Sequence, residues 1–259
     1  MTDPVLLDVS EGLARVTLNR PAVLNAVDFA MGARWREVCQ AVTSDPAVGA
    51  VLLDAAGPAF CAGGDVLAMA GGGGSGEELA AMARVINDGI LALTTSPRPV
   101  VAAVGGAVAG GGLGLMLAAD YVVAGRSARF VSRYANIGLT PDLGVSTLLP
   151  RAIGERRALQ LLLTDTMLDA STALEWGLIA EVVADEDLAG RAERVARFWL
   201  ANATAAYGHA KRLVRTGADR SFEANLDDEA VSIGRSFDTE AARARIAAFA
   251  AASAGRGER

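Results

Sequence analysis

At 259 residues, 52% of them apolar and 21% charged, the chain has the size of one large domain with room for a substantial core. Its 30 acidic against 24 basic side chains leave a net charge of −6, which argues against a nucleic-acid or anionic-membrane surface as its general function. Cys39 and Cys61 fit no metal spacing, and His209 is the only histidine, so a His-based zinc site or a Ser-His-Asp triad has little material to work with.

In chain order, Val5 to Val9 and Ala14 to Leu18 alternate around Glu11-Gly12 and predict a hairpin. A turn at Asn19-Arg20-Pro21 follows. Apolar residues at Met31, Trp35, Val38 and Val42 then predict a helix to about Ser44, capped by Asp28. Ala50 to Asp54 reads as a buried strand. The next stretch, GPAFCAGGDV (Gly57 to Val66), is a small-residue turn whose amides around Ala62 and Gly63 form a candidate anion nest, with Asp65 placed to cap a following turn. The glycine run from Gly71 to Gly76 predicts a mobile loop, and Glu77 to Thr94 a helix.

Val100 to Ala119 organises the chain. A β-branched run (Val100 to Val104) leads into Gly110, Gly111 and Gly112 and then into uncharged residues up to Asp120, which predicts buried strand, tight turn, buried helix. The stretch also has the length of a membrane helix, but its glycines and its lack of a basic flank weigh against that reading. Amides at a helix start have no intrahelical partner, and glycine lets a ligand approach them.

A strand over Tyr121 to Ala124 and a short return near Phe130 follow. Leu143 to Leu149 predicts a short helix with Asp142 as N-cap and Pro150 as its end; Glu155 to Leu163 predicts another. Asp169 caps the turn STALEWG, and Ile179 to Val183 reads as a strand. From Glu186 onward only helices are expected: Asp187 to Ala201, Thr204 to Thr216, Ser221 to Arg235 and Thr239 to Ala252. Strand-helix units come first and helices last. No signal-peptide pattern opens the sequence, so the expectation is a reduced, cytoplasmic protein.

Two glycine turns about 50 residues apart, each after a strand, are what is needed for two backbone amides to converge on one carbonyl oxygen. At this point the sequence resembles the crotonase, or enoyl-CoA hydratase/isomerase, superfamily. The resemblance rests on LNRPAVLNAV (Leu18 to Val27), FCAGGDV (Phe60 to Val66), GAVAGGGLGL (Gly106 to Leu115), NIGLTPDLGVSTLLPRAIG (Asn136 to Gly154) and ALEWGLIAEVV (Ala173 to Val183), in that order. It implies an α/β fold, a spiral of ββα units over residues 1–185 that carries an acyl-CoA site. It further implies a C-terminal helical trimerisation region over residues 186–259, and assembly as a homotrimer or a hexamer made of two trimers. Coenzyme A enters as part of the substrate, with no separate cofactor, no metal, no nucleic acid and no membrane.

By the same resemblance the thioester oxygen is held by the Ala62 and Gly111 amides, and CoA lies along Arg20, Ala22, Val23, Leu24, Ala62, Gly63, Gly64, Asp65, Val66 and Gly110. The departures decide the chemistry. Hydratases of the family carry a glutamate just after the glycine triplet and another in a PEILLG-like stretch; here those positions read Gly114 and Tyr134. Without two carboxylates to orient water, syn hydration loses its acid–base machinery. A carboxylate stands instead at Asp142, a position that resembles the aspartate of the ring-epoxide isomerase, dienoyl-CoA isomerase and 4-chlorobenzoyl-CoA dehalogenase branches, among Ile137, Leu139, Leu143 and Val145.

The expectation is therefore a double-bond shift, of the Δ3,Δ2-enoyl-CoA type or on a ring-derived thioester, with Asp142 as the base and Tyr134 beside it. The alternatives are a hydratase-like protein with weak or no hydration, a dehalogenase-like nucleophilic Asp142, and a non-catalytic acyl-CoA binder. If the frame is otherwise that of a hydratase, Gly114→Glu with Tyr134→Glu should restore some hydration. The family's basic pair near the C-terminus is missing, which leaves Arg20, Lys211 or Arg256 as candidates for the CoA phosphates.

Overall fold

The structure, a computed structural model, describes residues 3–72 and 74–254. Strands β1 (Val5–Ser10) and β2 (Leu13–Leu18) form the expected antiparallel hairpin, closed by Glu11 and Gly12 at φ 49° and 79°, a two-residue turn whose twist matches that of the strands. Helix α1 (Phe29–Ser44) starts at Asp28, whose carboxylate accepts the Met31 N–H at 2.8 Å.

Three passages of chain then build two layers. In the first, β3 (Ala50–Ala55) leads through a bridge at Cys61 to α2 (Val66–Gly72) and α3 (Gly76–Thr95). In the second, β4 (Val100–Val104) leads to β5 (Ala107–Ala109) and α4 (Gly111–Leu117). In the third, β6 (Tyr121–Gly125) leads to β7 (Arg129–Val131), α5 (Val145–Ile153) and α6 (Glu155–Leu163). Strand β8 (Met167–Asp169), α7 (Ala170–Trp176) and β9 (Glu181–Val183) follow. Each passage adds a parallel strand to a six-stranded sheet ordered β1-β2-β3-β4-β6-β9 and then a strand or bridge to a smaller layer, where Cys61 pairs with Val108, β5 with β7, and β7 with β8. This is the spiral of ββα units that the resemblance implied.

The parallel centre of the large sheet, β3, β4 and β6, is buried on both faces, as parallel sheets are, and its side chains alternate between two cores. Val51, Leu53, Val100 and Ala102 join Trp35, Phe60 and Phe130 in the main core. Leu52, Val101 and Val123 face the other way and pack on Ala192, Val195 and Ala196 of α8 (Leu188–Ala201). Because α8 completes the second face of the sheet, a boundary at residue 185 falls inside a continuous core. Helices α9 (Thr204–Gly217), α10 (Phe222–Phe237) and α11 (Glu240–Ala254) continue outward from it. Among the described residues no helix is long and apolar enough to cross a membrane.

Several expectations change. Gly71 and Gly72 extend α2, which periodicity did not reveal, and Ser75 with Glu78 forms a capping box at α3, so little of the 71–76 run is left as loop; Gly73 lies outside the described residues. Helix α5 starts at Val145 and runs through Pro150. Its ring removes only one hydrogen bond, and the buried Leu149 and Ile153 carry the helix past it. The N-cap is Gly144, with no side-chain cap, so Asp142 is not the cap of this helix.

Candidate active site

The two glycine turns meet where the smaller layer ends. Gly63 has φ +100°, and a Cβ there would stand 2.9 Å from the Ala109 carbonyl oxygen and 3.5 Å from the Gly111 nitrogen. Only glycine permits both that backbone conformation and that approach. Gly110 (φ +51°) donates its N–H to the Val131 carbonyl at 3.2 Å, and the following Gly111 N–H has no acceptor among the described residues. Gly111 is thus a preorganised donor at the start of α4.

Ala62, expected as the second donor, is placed differently. Its N–H donates to the Leu24 carbonyl at 3.0 Å. The cause is the 20–25 turn, which folds over the second glycine turn and is pinned by fully buried Asn25: its amide nitrogen donates to the carbonyls of Ala56 (2.9 Å) and Ala59 (2.8 Å). Leu24 and Asn25 are both at positive φ, 53° and 55°, which turns the Leu24 carbonyl onto Ala62. A ligand oxygen would have to share the Ala62 amide with Leu24 or displace it.

Asp142 reaches the Gly111 turn on the loop between β7 and α5. Leu143 and Gly144 are consecutive left-handed residues (φ 50° and 78°), and this double bend drops the loop onto α4. The Leu143 Cδ1 and the Asp142 Oδ1 lie 2.9 and 3.8 Å from the place a Cβ on Gly111 would occupy. Gly114 is on the same face of α4, one turn later. A Cβ there would stand 2.7 Å from the Leu143 Cβ and closer still to the Leu143 carbonyl oxygen. The position that holds a glutamate in the family's hydratases is therefore filled by the loop that carries Asp142. This corrects the expectation that Gly114→Glu with Tyr134→Glu would restore hydration: the backbone frame has no room for the first of the two side chains.

Tyr134, 7% exposed, stands at the head of the same loop and donates its hydroxyl to Asp142 Oδ1 at 2.6 Å. Burial, and then the Asp142 charge, push the Tyr134 pKa far up, so the phenol keeps its proton and acts as a donor. Asp142 as a residue is partly open to solvent, yet desolvation of its carboxyl group raises its pKa above the ordinary carboxylate value, and the Tyr134 hydrogen bond opposes that rise. Cys61 lies beneath the turn with its Sγ 3.1 Å from the Asn25 carbonyl; burial pushes the thiol up to about 12, so it is inert packing.

The expected CoA contacts divide. Val23 and Leu24 form an exposed apolar lip with Ala22, and Val66, two residues after Gly64, is exposed as well. Arg20 is held inward by Asp28 (2.8 Å), Asp65 (3.2 Å) and the Ala26 carbonyl, and Asp65 also accepts the Ala68 N–H at 3.0 Å to cap α2. Lys211 is buried and bonded to Leu93 O (2.7 Å), Arg98 O (2.8 Å) and Asp120 (2.8 Å). Both cations are engaged within the fold in this structure, and Arg256 lies outside the described residues. His209 is exposed on α9, outside the site, and among the described residues no three His, Cys, Asp or Glu side chains group as a metal site.

Beyond the Tyr134–Asp142 loop a cavity of about 600 Å³ opens between α1, α2, α3 and the loop residues Ile137 and Leu139. Sequence periodicity placed Leu79 and Met82 on a helix but gave no sign that they line a cavity, because α2, which forms its other wall, was not foreseen. A larger groove of about 810 Å³ runs under α9 beside Leu148, Trp199 and Lys211; neither glycine turn, Tyr134 nor Asp142 lines it.

The sequence profile of the enoyl-CoA hydratase/isomerase family matches residues 8–253. The chain belongs to that family. It is 37% identical over 231 residues, 88% of either chain, to a 1,2-epoxyphenylacetyl-CoA isomerase of Escherichia coli K12. It is 36% identical to a trans-2-decenoyl-[acyl-carrier-protein] isomerase of Streptococcus mutans, over 74% of this chain and 73% of that one. The crystal structure of an enoyl-CoA hydratase from Mycobacterium smegmatis superposes with a TM-score of 0.89 at 31% identity, over 95% of each chain. The relatives thus carry both hydratase and isomerase names.

The seating of Leu143 on Gly114 predicts the effect of a single methyl group. Gly114→Ala should destabilise the protein by about 1–3 kcal/mol in urea unfolding. It should also lower turnover of enoyl-CoA thioesters about 100-fold, because a displacement of about 1 Å at a reacting group has that effect. A variant with unchanged stability and rate would show that the loop is not seated there.

Proposed function

We propose that the protein is an enoyl-CoA isomerase that moves a carbon–carbon double bond by a proton shift through a thioester enolate. One observation carries this reading: the carboxylate set against Gly111 is that of Asp142, hydrogen-bonded by Tyr134, while the loop itself closes the place of the hydratase glutamate.

The thioester oxygen lies at the Gly111 N–H and, when the Leu24 carbonyl yields, at the Ala62 N–H as well. A preorganised donor of this kind stabilises a developing oxyanion by about 3–4 kcal/mol. With the enolate so held, Asp142 removes a proton from the carbon next to the thioester in a 3-enoyl-CoA and returns it two carbons further along. One base suffices, because its raised pKa brings it closer to operating pH in both directions. Tyr134 fixes the orientation of the carboxylate through the 2.6 Å hydrogen bond. No cofactor is called for, since the proton leaves and returns through the same carboxyl group and CoA belongs to the substrate. Large apolar side chains exposed on α10 and α11, among them Phe222, Ile233 and Phe249, support assembly as a homotrimer or hexamer, and two free buried thiols fit a cytoplasmic setting.

Incubation with a 3-enoyl-CoA in deuterated water tests the reaction directly. The expected product is the 2-enoyl isomer with deuterium incorporated and without the mass of an added water. Asp142→Asn should lower that conversion by about 100- to 10,000-fold, and a variant keeping more than half the rate would remove Asp142 from the mechanism.

The pH profile separates orientation from proton transfer. Asp142 must be ionised to act, so activity is lost as pH falls through its raised pKa. The Tyr134 hydrogen bond lowers that pKa; Tyr134→Phe should therefore move the acid limb of kcat to higher pH, with less than about a tenfold fall on the plateau. An unmoved limb, or a fall as deep as that of Asp142→Asn, would contradict the assigned role.

A further inference from the structure

We infer that the acyl tail this site accepts is apolar and uncharged, and that thioesters ending in a carboxylate are rejected. The inference rests on the proposed reading of the site as an acyl-CoA site, and goes beyond it by naming the class of tail.

The tail cavity is tied to the chemistry by one loop. Tyr134 and Asp142 stand at its two ends, and Ile137 and Leu139 between them, 49% and 39% exposed, form one wall of the 600 Å³ cavity. The cavity also reaches the amide turns directly, since Met69 of its wall has its Cε 2.7 Å from the place a Cβ on Gly64 would occupy, so a group held at those turns has its distal part directed toward Met69, Ile137 and Leu139. The facing wall is Met69 of α2 with Leu79 and Met82 of α3. The volume lies in the middle of the range for small-molecule pockets, roughly 300–1,000 Å³, which suits a medium-length or aryl-bearing tail, and two methionines let the wall adapt to either shape.

The charge of the lining is one-sided. Among the described residues, Asp28, Asp65 and Glu78 line the cavity and no basic side chain does. Arg20 pairs with Asp28 and Asp65 from behind. Glu78 accepts the Ser75 N–H at 2.7 Å as half of the α3 capping box and has no cationic partner among the described residues. A carboxylate at the far end of a tail would give up part of its hydration to the apolar walls and meet the charge of Glu78 at the cavity's exposed rim, whereas a methyl or phenyl end loses nothing. Specificity of this kind comes from what repels the wrong partner as much as from what attracts the right one.

Isothermal titration of the full chain with two saturated thioesters of equal length, octanoyl-CoA and its ω-carboxylated counterpart suberyl-CoA, reads the tail preference without relying on turnover. Octanoyl-CoA is expected to bind about 100-fold more tightly. Glu78→Gln keeps an oxygen acceptor for the Ser75 amide, as capping boxes allow, and should tighten suberyl-CoA about tenfold more than octanoyl-CoA. Equal affinities for the two thioesters would overturn the inference and leave the acyl-CoA reading standing. A preference that Glu78→Gln does not narrow would overturn the assignment to this cavity. Absence of binding by both would overturn the acyl-CoA reading itself, and the inference with it.

Discussion

The backbone of Leu143 lies against α4 at Gly114, and most of what distinguishes this site depends on that contact. A side chain of any size at 114 would meet the Leu143 carbonyl and Cβ, so the glycine and the left-handed Leu143–Gly144 bend are two halves of one arrangement. Its consequence is to bring Asp142 to the Gly111 turn on the same face of α4 from which a glutamate at 114 would project. The carboxylate that faces the Gly111 turn is thereby that of Asp142, which accepts the Tyr134 hydroxyl. The fold has kept the amide turn and changed what faces it.

The amide turn depends in its turn on the ββα spiral. Consecutive passages of chain place Cys61 and β5 side by side in the smaller layer, so the segments that leave them, around Gly63 and Gly110, arrive in contact. Asn25 is the third component. Buried without solvent and bonded to two carbonyls across the loop, it holds the 20–25 turn over the site, with Leu24 capping the Ala62 amide. Among the amides of the two turns, that of Ala62 is thus engaged by Leu24, whereas that of Gly111 has no acceptor among the described residues.

Much of this was legible in the sequence because it is local. Alternation around Glu11-Gly12, the caps at Asp28 and Asp169, and the helices after Glu186 each depend on neighbours within a few residues, and each is present. The strand, glycine turn and helix from Val100 onward are equally local and equally clear. The GLTPDLG stretch drew attention to Asp142, which the fold sets beside Gly111, but deciding against its alternative reading as a helix cap needed the knowledge that Leu143 and Gly144 are left-handed. That bend is imposed by packing on α4, about 30 residues away in sequence. Ala62 and Lys211 show the same limit. Whether an amide or an ammonium group is free depends on a distant carbonyl or carboxylate brought up by the fold, and neither pattern nor composition carries that information. Helix α2 was missed for a different reason: its glycine end reads as a loop, and Asp65 supplies the cap that lets so short a helix form.

Hydration is the reaction that most directly opposes this account, since the fold and many relatives are those of hydratases while the water-holding position is closed. The decisive measurement is the steady-state rate at which the unmodified protein adds water to crotonyl-CoA, followed by loss of the conjugated enoyl thioester and by product mass. The account predicts no hydration, or a rate far below that of the double-bond shift on a 3-enoyl-CoA. A kcat for hydration above about 10 per second, the middle of the usual range for enzymes, would contradict it, because Asp142 would then have to organise a water that the seating of Leu143 on Gly114 leaves no second carboxylate to hold.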